Sequence, residues 1–390
     1  MPVIFTNFIL HMLTTQELYR YSRQILLSEF GHEGQQKLKE GSVLMIGAGG
    51  LGSPALYYLT AAGVGRIGIV DFDKVDSSNL QRQILFTNED VGKPKAETAR
   101  QRLRKLNPLI KIETHNCILN SQNAMNIITN YDVIIDGSDN LPTRYLVNDA
   151  CVLLNKTLIY GAIFQFEGQV SVFNELLKDG SRGPNYRDLF PEPPPPEMVP
   201  SCSVGGVLGV LPGIIGSMQA NEAIKILADF GTTLSGRLLL FDSLDFTTRF
   251  LNLKPNPGNP VSGKNPTQHT LIDYEEFCTP SHHTSSIKEI TPTELKKMLD
   301  QEIKFQLIDV REPREFELSN LGGLNIPLST VEKNISSIQR DIPVVIHCKS
   351  GARSLLAIEK LQHLGFTNLL NLQGGIIKWI DDVDPTLTKY

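Results

Sequence analysis

Two stretches of the chain place reactive side chains at a turn between an apolar strand and a helix. One is "IHCKSGARS", residues 346–354, where Cys348 follows the apolar run Pro343-Val344-Val345-Ile346 and precedes the helix-like "SLLAIEKLQHLG". A cysteine at such a junction meets a ring of backbone N–H groups and the positive end of a helix dipole. Both favour thiolate and make the sulfur a nucleophile. Lys349, Ser350, Gly351, Ala352 and Arg353 complete the loop, and Arg353 adds positive charge. Such a cradle would hold a persulfide anion or an oxyanion, so its two chemistries are sulfur transfer and phosphate-ester hydrolysis. Six residues run from Cys348 to Arg353, a short loop that suits sulfur.

The other stretch is "GAGGLG", Gly47 to Gly52, which matches G-x-G-x-x-G after an apolar strand. Glycines there let the backbone approach phosphates that face a helix N-terminus. Asp71 ends the next strand at the spacing for a ribose hydroxyl. These features alone favour NAD. Downstream, "DSSNLQRQILF" supplies Ser78, Asn79, Leu80, Gln81 and Arg82, and "VGKPKAE" supplies Lys95. Cations beyond the glycine turn exceed what a dinucleotide needs and suit a triphosphate. Asp139, beyond a later strand in "YDVIIDGSDN", suits Mg2+ through oxygen.

The elements that would position these residues form two α/β sets. Residues 14–40 read as helical. Strand, helix and strand follow through Asp71, then a helix over 93–107, a strand over 110–115, and strands in "YDVIID", "TLIYGAI", "GQVSVF" and "RLLLFD". The proline-rich "RGPNYRDLFPEPPPPEMVPSC" reads as an exposed loop, and "GGVLGVLPGIIGSMQANEAIKIL" as an apolar helix. Residues 254–287 read as a domain tail and linker. A new pattern then places strands in "FQLIDVR", "PVVIHC" and "LLNLQGG". The expected division is an extension over 1–13, a first, nucleotide-binding domain over 14–279, a linker over 280–287 and a second domain over 288–390. Met12 is an alternative start.

With 390 residues, 41% hydrophobic and 20% charged, the chain is too long for one ordinary core and reads as soluble. A net charge of −5 implies no general attraction to nucleic acid or anionic membrane. Five widely spaced cysteines without CxxC fit a reducing cytoplasm.

In order, "RYSRQ", "GAGGLG", "DFD", "SNLQRQ", "VGKPK", "GSDN", "RYLVNDAC", "EGQVSVF" and "FPEPPPPEMVPSC" resemble the MoeB/ThiF branch of the ubiquitin-activating enzymes. The resemblance implies a Rossmann-like ATP-binding domain with a mixed sheet. It also implies ATP-Mg-dependent adenylation of the C-terminal glycine of a ubiquitin-like sulfur carrier with a Gly-Gly tail. By resemblance, Gly50 approaches the phosphates, Asp71 binds ribose, and Ser78 to Arg82 and Lys95 hold phosphates. Asp139 and Asn140 lie by the metal and adenylate, and Arg23 reaches into the partner's site of a homodimer. Cys202 matches a cysteine that some members use covalently; its role stays open.

The family commonly binds structural zinc through two CxxC pairs, and the matching positions are Asn185, Asp188, Asn259 and Ser262. None offers thiolate or imidazole. Zinc is expected to be absent, with the two segments held by packing alone.

The C-terminal region, through "LIDVREPREFE", "NIPLS", "VVIHCKSGARS" and "NLQGGIIKWIDD", resembles a rhodanese domain. That implies that Cys348 carries sulfur from a donor such as a cysteine desulfurase or thiosulfate. Activation for molybdopterin synthesis is the expected role, with thiamine or tRNA thiolation as alternatives. An NAD-dependent oxidoreductase with a rhodanese-like regulatory module, or a non-catalytic scaffold, would leave Arg82, Lys95 and Asp139 unemployed.

Overall fold

The computed structural model describes residues 12–194, 206–278 and 287–389, and the chain divides into two compact units, Met1–Pro280 and Ser281–Tyr390. Among the described residues of the first, eight strands make one sheet. They are β1 (Ser42–Ile46), β2 (Arg66–Val70), β3 (Lys111–His115), β4 (Val133–Asp136), β5 (Thr157–Phe164), β6 (Glu167–Phe173), β7 (Arg237–Asp242) and β8 (Thr247–Asn252).

Their order is β3-β2-β1-β4-β5-β6-β7-β8. β3 through β5 are parallel, and β5 through β8 pair antiparallel. β1 and β4 are buried along their length and mostly apolar, because helices cover both faces. Val43, Met45, Val133 and Ile135 enter one core, while Leu44, Ile46 and Ile134 enter the other. The chain steps outward from β1 to β3 and returns on β1's other side as β4. That reversal opens a crevice at the strands' C-terminal ends, the usual ligand position in such sheets.

Two expectations need correction. The helical run over 14–40 breaks into Thr15–Arg20, Ser22–Ile25 and Gly31–Glu40. Tyr21, at the first break, is buried and its hydroxyl accepts a hydrogen bond from Asn107. The segment after residue 254 folds onto the first unit rather than trailing from it, ending in a helix, Tyr274–Cys278, with Tyr274 buried. Residues 1–11, the loop core over 195–205 including Cys202, and most of the expected linker lie outside the described residues.

The second unit has five strands among the described residues. They are β9 (Lys288–Ile290), β10 (Gln306–Asp309), β11 (Leu324–Asn325), β12 (Val344–His347) and β13 (Leu369–Leu372). All are parallel, in the order β11-β10-β12-β13-β9. β12 is central and wholly buried, and its C-terminal end delivers Cys348. Among the described residues, no helix is long and apolar enough to cross a membrane.

Candidate functional site

The turns after β1, β2 and β4 converge on a cavity of about 220 Å³ at the switch point of the first sheet. Gly50, Asp71, Arg82, Lys95, Asp139 and Asn140 line it. The glycine turn is tight: a Cβ on Gly52 would lie 2.0 Å from the Gly47 carbonyl oxygen, so helix Gly52–Ala62 starts directly against the turn. Asp71 is held by two backbone donors, Ala48 N–H to Oδ2 at 2.8 Å and Asp73 N–H to Oδ1 at 2.8 Å. Burial raises its pKa above the ordinary carboxylate value, opposed by those donors and by Lys95. Its remaining lone pairs can accept from a ribose.

Neither predicted cation stands alone. Lys95, buried at the start of helix Lys95–Leu106, donates to Asp73 Oδ2 at 2.9 Å. Arg82 donates to Asn79 Oδ1 at 2.6 Å and to the Ser78 carbonyl at 3.3 Å. Ser78 and Asn79 therefore orient Arg82 and do not themselves line the cavity. Leu80 packs on the core, and Gln81 is exposed outside the cavity. Arg23 is exposed on helix Ser22–Ile25, also outside it. Two charged residues that line the cavity were not singled out from the sequence, Asp73 and Arg144. The signals were in the quoted "DFD" and "RYLVND". Arg144 lies over the Tyr160 ring at 5.6 Å and opposes the burial that raises the Asp136 pKa.

For Mg2+, no three His, Cys, Asp or Glu side chains gather as a metal site among the described residues. One exposed carboxylate, Asp139, beside a phosphate-sized cavity still fits an ion that takes most of its ligands from phosphate and water.

The four positions matching zinc ligands do meet, but as a hydrogen-bonded knot. Asn185 Nδ2 donates to Ser262 Oγ at 2.7 Å, and Asn259 Nδ2 donates to Asp188 Oδ1 at 2.7 Å and Asn185 Oδ1 at 3.2 Å. Asn259 Oδ1 accepts from Val261 N–H and Ser262 N–H. Beside it, buried Arg187 donates to both Asp149 oxygens, and Tyr274 and Gln268 donate to the same carboxylate. Amide, carboxylate and hydroxyl groups that bond one another do not fit a tetrahedral zinc site. The two segments are joined by polar bonds, which corrects the expectation of packing alone.

In the second unit, Cys348 is 1% exposed, and the Gly351 N–H points at its sulfur at 3.2 Å. Gly351 takes the left-handed conformation, φ +103°, and precedes helix Ala352–His363. The "GG" of "NLQGG" has a steric reason. A Cβ on Gly375 would lie 2.5 Å from the Cys348 carbonyl. Without one, Ile376 N–H reaches that carbonyl at 2.9 Å and Ile377 N–H reaches Lys349 O at 3.1 Å. Arg353 does not simply add charge, because it grips Glu315 through two bonds of 2.6 and 2.8 Å. Burial raises the Glu315 pKa, but Arg353 outweighs it and holds the carboxyl below its ordinary value. His347 is fully buried, and burial pushes its pKa down to about 4, so its ring is neutral near pH 7.

A family model described as the ThiF family matches residues 21–261, more than half of the chain. The chain belongs to the ThiF family. A second model, the rhodanese-like domain, matches residues 291–382. The chain is 44% identical over 385 residues to "Probable adenylyltransferase/sulfurtransferase MoeZ" of Mycobacterium tuberculosis, covering 97% of this chain and 96% of that protein. It is 55% identical over 265 residues to "Sulfur carrier protein adenylyltransferase" of Thermus thermophilus, covering 68% of this chain and 98% of that one. That relative spans essentially only the ThiF unit. Among solved structures, E. coli MccB with ATP superposes with a TM-score of 0.55 at 24% identity, over 64% of this chain and 75% of that chain. This likeness shows the fold of the ThiF unit.

Proposed function

We propose that this chain, an adenylyltransferase joined to a sulfurtransferase, activates a ubiquitin-like sulfur carrier and supplies its sulfur. In the first step a carboxylate oxygen of the carrier's C-terminal glycine attacks the α-phosphorus of ATP. An acyl-adenylate forms and pyrophosphate leaves. No general base is needed, because the nucleophile is already an anion; the barrier lies in neutralising phosphate charge. Arg82 and Lys95 serve that need, Asp71 holds the ribose, and Asp139 holds Mg2+ beside Asn140. In the second step the terminal sulfur of a Cys348 persulfide attacks the acyl carbon and AMP leaves, giving an acyl disulfide. A second, external thiol attacks Cys348 Sγ and releases the thiocarboxylate. The resulting disulfide is reset by a cellular thiol.

The observation that carries this reading is the pairing in one chain of a cation-lined switch-point cavity with a buried thiol under a loop N–H. The ThiF unit acts as a homodimer, with Arg23 completing the partner's site; exposed Tyr19, Leu26 and Tyr58 on the same unit support this. The sulfur donor is a cysteine desulfurase or thiosulfate, the compartment is the cytoplasm, and the pathway is molybdopterin synthesis, with thiamine or tRNA thiolation as alternatives. Full-length protein, Mg2+, ATP and labelled pyrophosphate should exchange label into ATP only when a Gly-Gly-terminated carrier is added. Tight NAD binding with no ATP binding by calorimetry would overturn the reading.

A further inference from the structure

The sulfur loop carries its own counter-charge. Arg353 lies in the first turn of helix Ala352–His363, between two residues that touch the Cys348 sulfur. The Gly351 N–H is 3.2 Å from that sulfur and Ser354 Oγ is 3.6 Å from it. The Arg353 guanidinium donates to both oxygens of Glu315, at 2.6 and 2.8 Å. Glu315 comes from a separate element, helix Pro313–Leu318, where its Oε2 also accepts from the Glu312 N–H at 3.2 Å. The two side chains are only 12% and 14% exposed, so water and salt screen their charges poorly.

A bidentate pair of planar groups fixes orientation as well as charge. Burial raises the Glu315 pKa, but Arg353 brings it below the ordinary carboxylate value, so both partners are charged near pH 7. Felt from the sulfur, the pair is a dipole and not a cation. Arg311, a second guanidinium near this carboxylate, is matched in the same way by buried Asp309.

This matching bears on which donors can load the loop. With thiosulfate, the Cys348 thiolate attacks the outer sulfur. The S–S bond of thiosulfate breaks, its electron pair leaves on sulfite, and Cys348 becomes a persulfide. Two negative charges must approach a sulfur that is itself anionic, whereas a persulfide on another protein's cysteine brings at most one. Coulomb energy scales with the product of the charges. One net positive charge beside the loop would therefore help a dianion twice as much, in free energy, as a monoanion.

We propose that Glu315 is a specificity-determining residue of the sulfur site. By neutralising Arg353 it holds back small dianionic donors relative to donors whose reacting group carries a single charge, the class to which a protein persulfide belongs. The proposal deepens the sulfur-transfer reading and rests on Cys348 being the sulfur-carrying residue.

The test is thiocyanate formation by the full-length protein from cyanide and one of two donors: thiosulfate, a dianion, or benzenethiosulfonate, a monoanion. Glu315→Gln keeps the shape and an acceptor for Arg353 but removes the charge. kcat/KM should rise about tenfold for thiosulfate and about threefold for benzenethiosulfonate, so their ratio rises about threefold. Salt at about 0.5 M should remove most of that rise. Glu315→Asp, which keeps the charge, should leave the ratio at its wild-type value. A merely structural role would move both donors alike. An unchanged or lowered ratio in Glu315→Gln, or an equal rise in Glu315→Asp, overturns the proposal. Should Glu315→Gln fail to fold, Arg353→Gln decides by the same ratio, which should fall about threefold; a ratio that holds or rises overturns the proposal. Failure of the underlying reading would appear separately, as thiocyanate formation that survives Cys348→Ala.

Discussion

The two candidate sites are built in opposite ways. In the ThiF unit the cavity is assembled from turns scattered between residues 46 and 207, and its cations are already paired, Lys95 with Asp73 and Arg82 with Asn79. In the rhodanese unit the reactive atom and its loop donor lie three residues apart, at the tip of one central strand. A site that must neutralise the spread charge of a triphosphate needs groups from several directions, and hydrogen-bonding partners, one acidic and one amide, keep them placed before substrate arrives. A site that must hold one sulfur needs only a strand end and a loop.

The sharpest way to break this contrast is at Asp139. Asp139→Ala should lower carrier-dependent ATP–pyrophosphate exchange by about a hundredfold or more, while thiosulfate:cyanide sulfur transfer stays near wild type. A loss of both activities in a folded variant would mean that the two sites are not independent.

A second test concerns how the ThiF unit is held together. Asn259→Ala removes two side-chain donations and leaves the buried Val261 N–H and the part-buried Ser262 N–H without this acceptor. Unfolding of the ThiF unit should become easier by about 2–4 kcal/mol, read by calorimetry, with a chelator changing neither variant nor wild type. A chelator-induced fall in the wild-type melting temperature would contradict the polar knot.

The smallest effect is expected from pH. His347 is neutral when folded and takes a proton only near pH 4, whereas an unfolded histidine takes one near 6.5. Its stabilising contribution is thus complete above about pH 6.5 and is lost as pH falls toward 4, by at most about 3 kcal/mol. Trp379, the chain's single tryptophan, is buried in the rhodanese unit, so its fluorescence reports on that unit alone. Denaturant midpoints followed by it should fall between pH 7 and 4.5, and His347→Leu should flatten the fall. An equally steep fall in His347→Leu would assign the effect to other groups.

What could be read from the sequence followed the same divide. "IHCKSGARS" showed the strand, loop and helix around Cys348 because they are contiguous, and the apolar strands β1, β4 and β12 announced themselves through burial on both faces. The edge strands β8, β9 and β11 did not: β8 is exposed along its length, and β9 and β11 span only Lys288–Ile290 and Leu324–Asn325, so none carries an alternation to detect. Ser78 to Gln81 were read as phosphate contacts from the motif, but spacing along the chain cannot tell a residue that lines a cavity from one that orients its neighbour. The Asn185–Asp188–Asn259–Ser262 knot was legible as a lost metal site and not as a bonded one. Which amide meets which carboxylate across 77 residues is decided by the fold.

The central claim is a division of labour, adenylation by the ThiF unit and sulfur delivery by Cys348. Its most direct test is Cys348→Ala in the full-length chain, measured in both partial reactions on one preparation. Carrier-dependent ATP–pyrophosphate exchange should persist at the wild-type rate while thiocyanate formation from thiosulfate and cyanide disappears; exchange abolished in the folded variant, or thiocyanate formation retained, would contradict it.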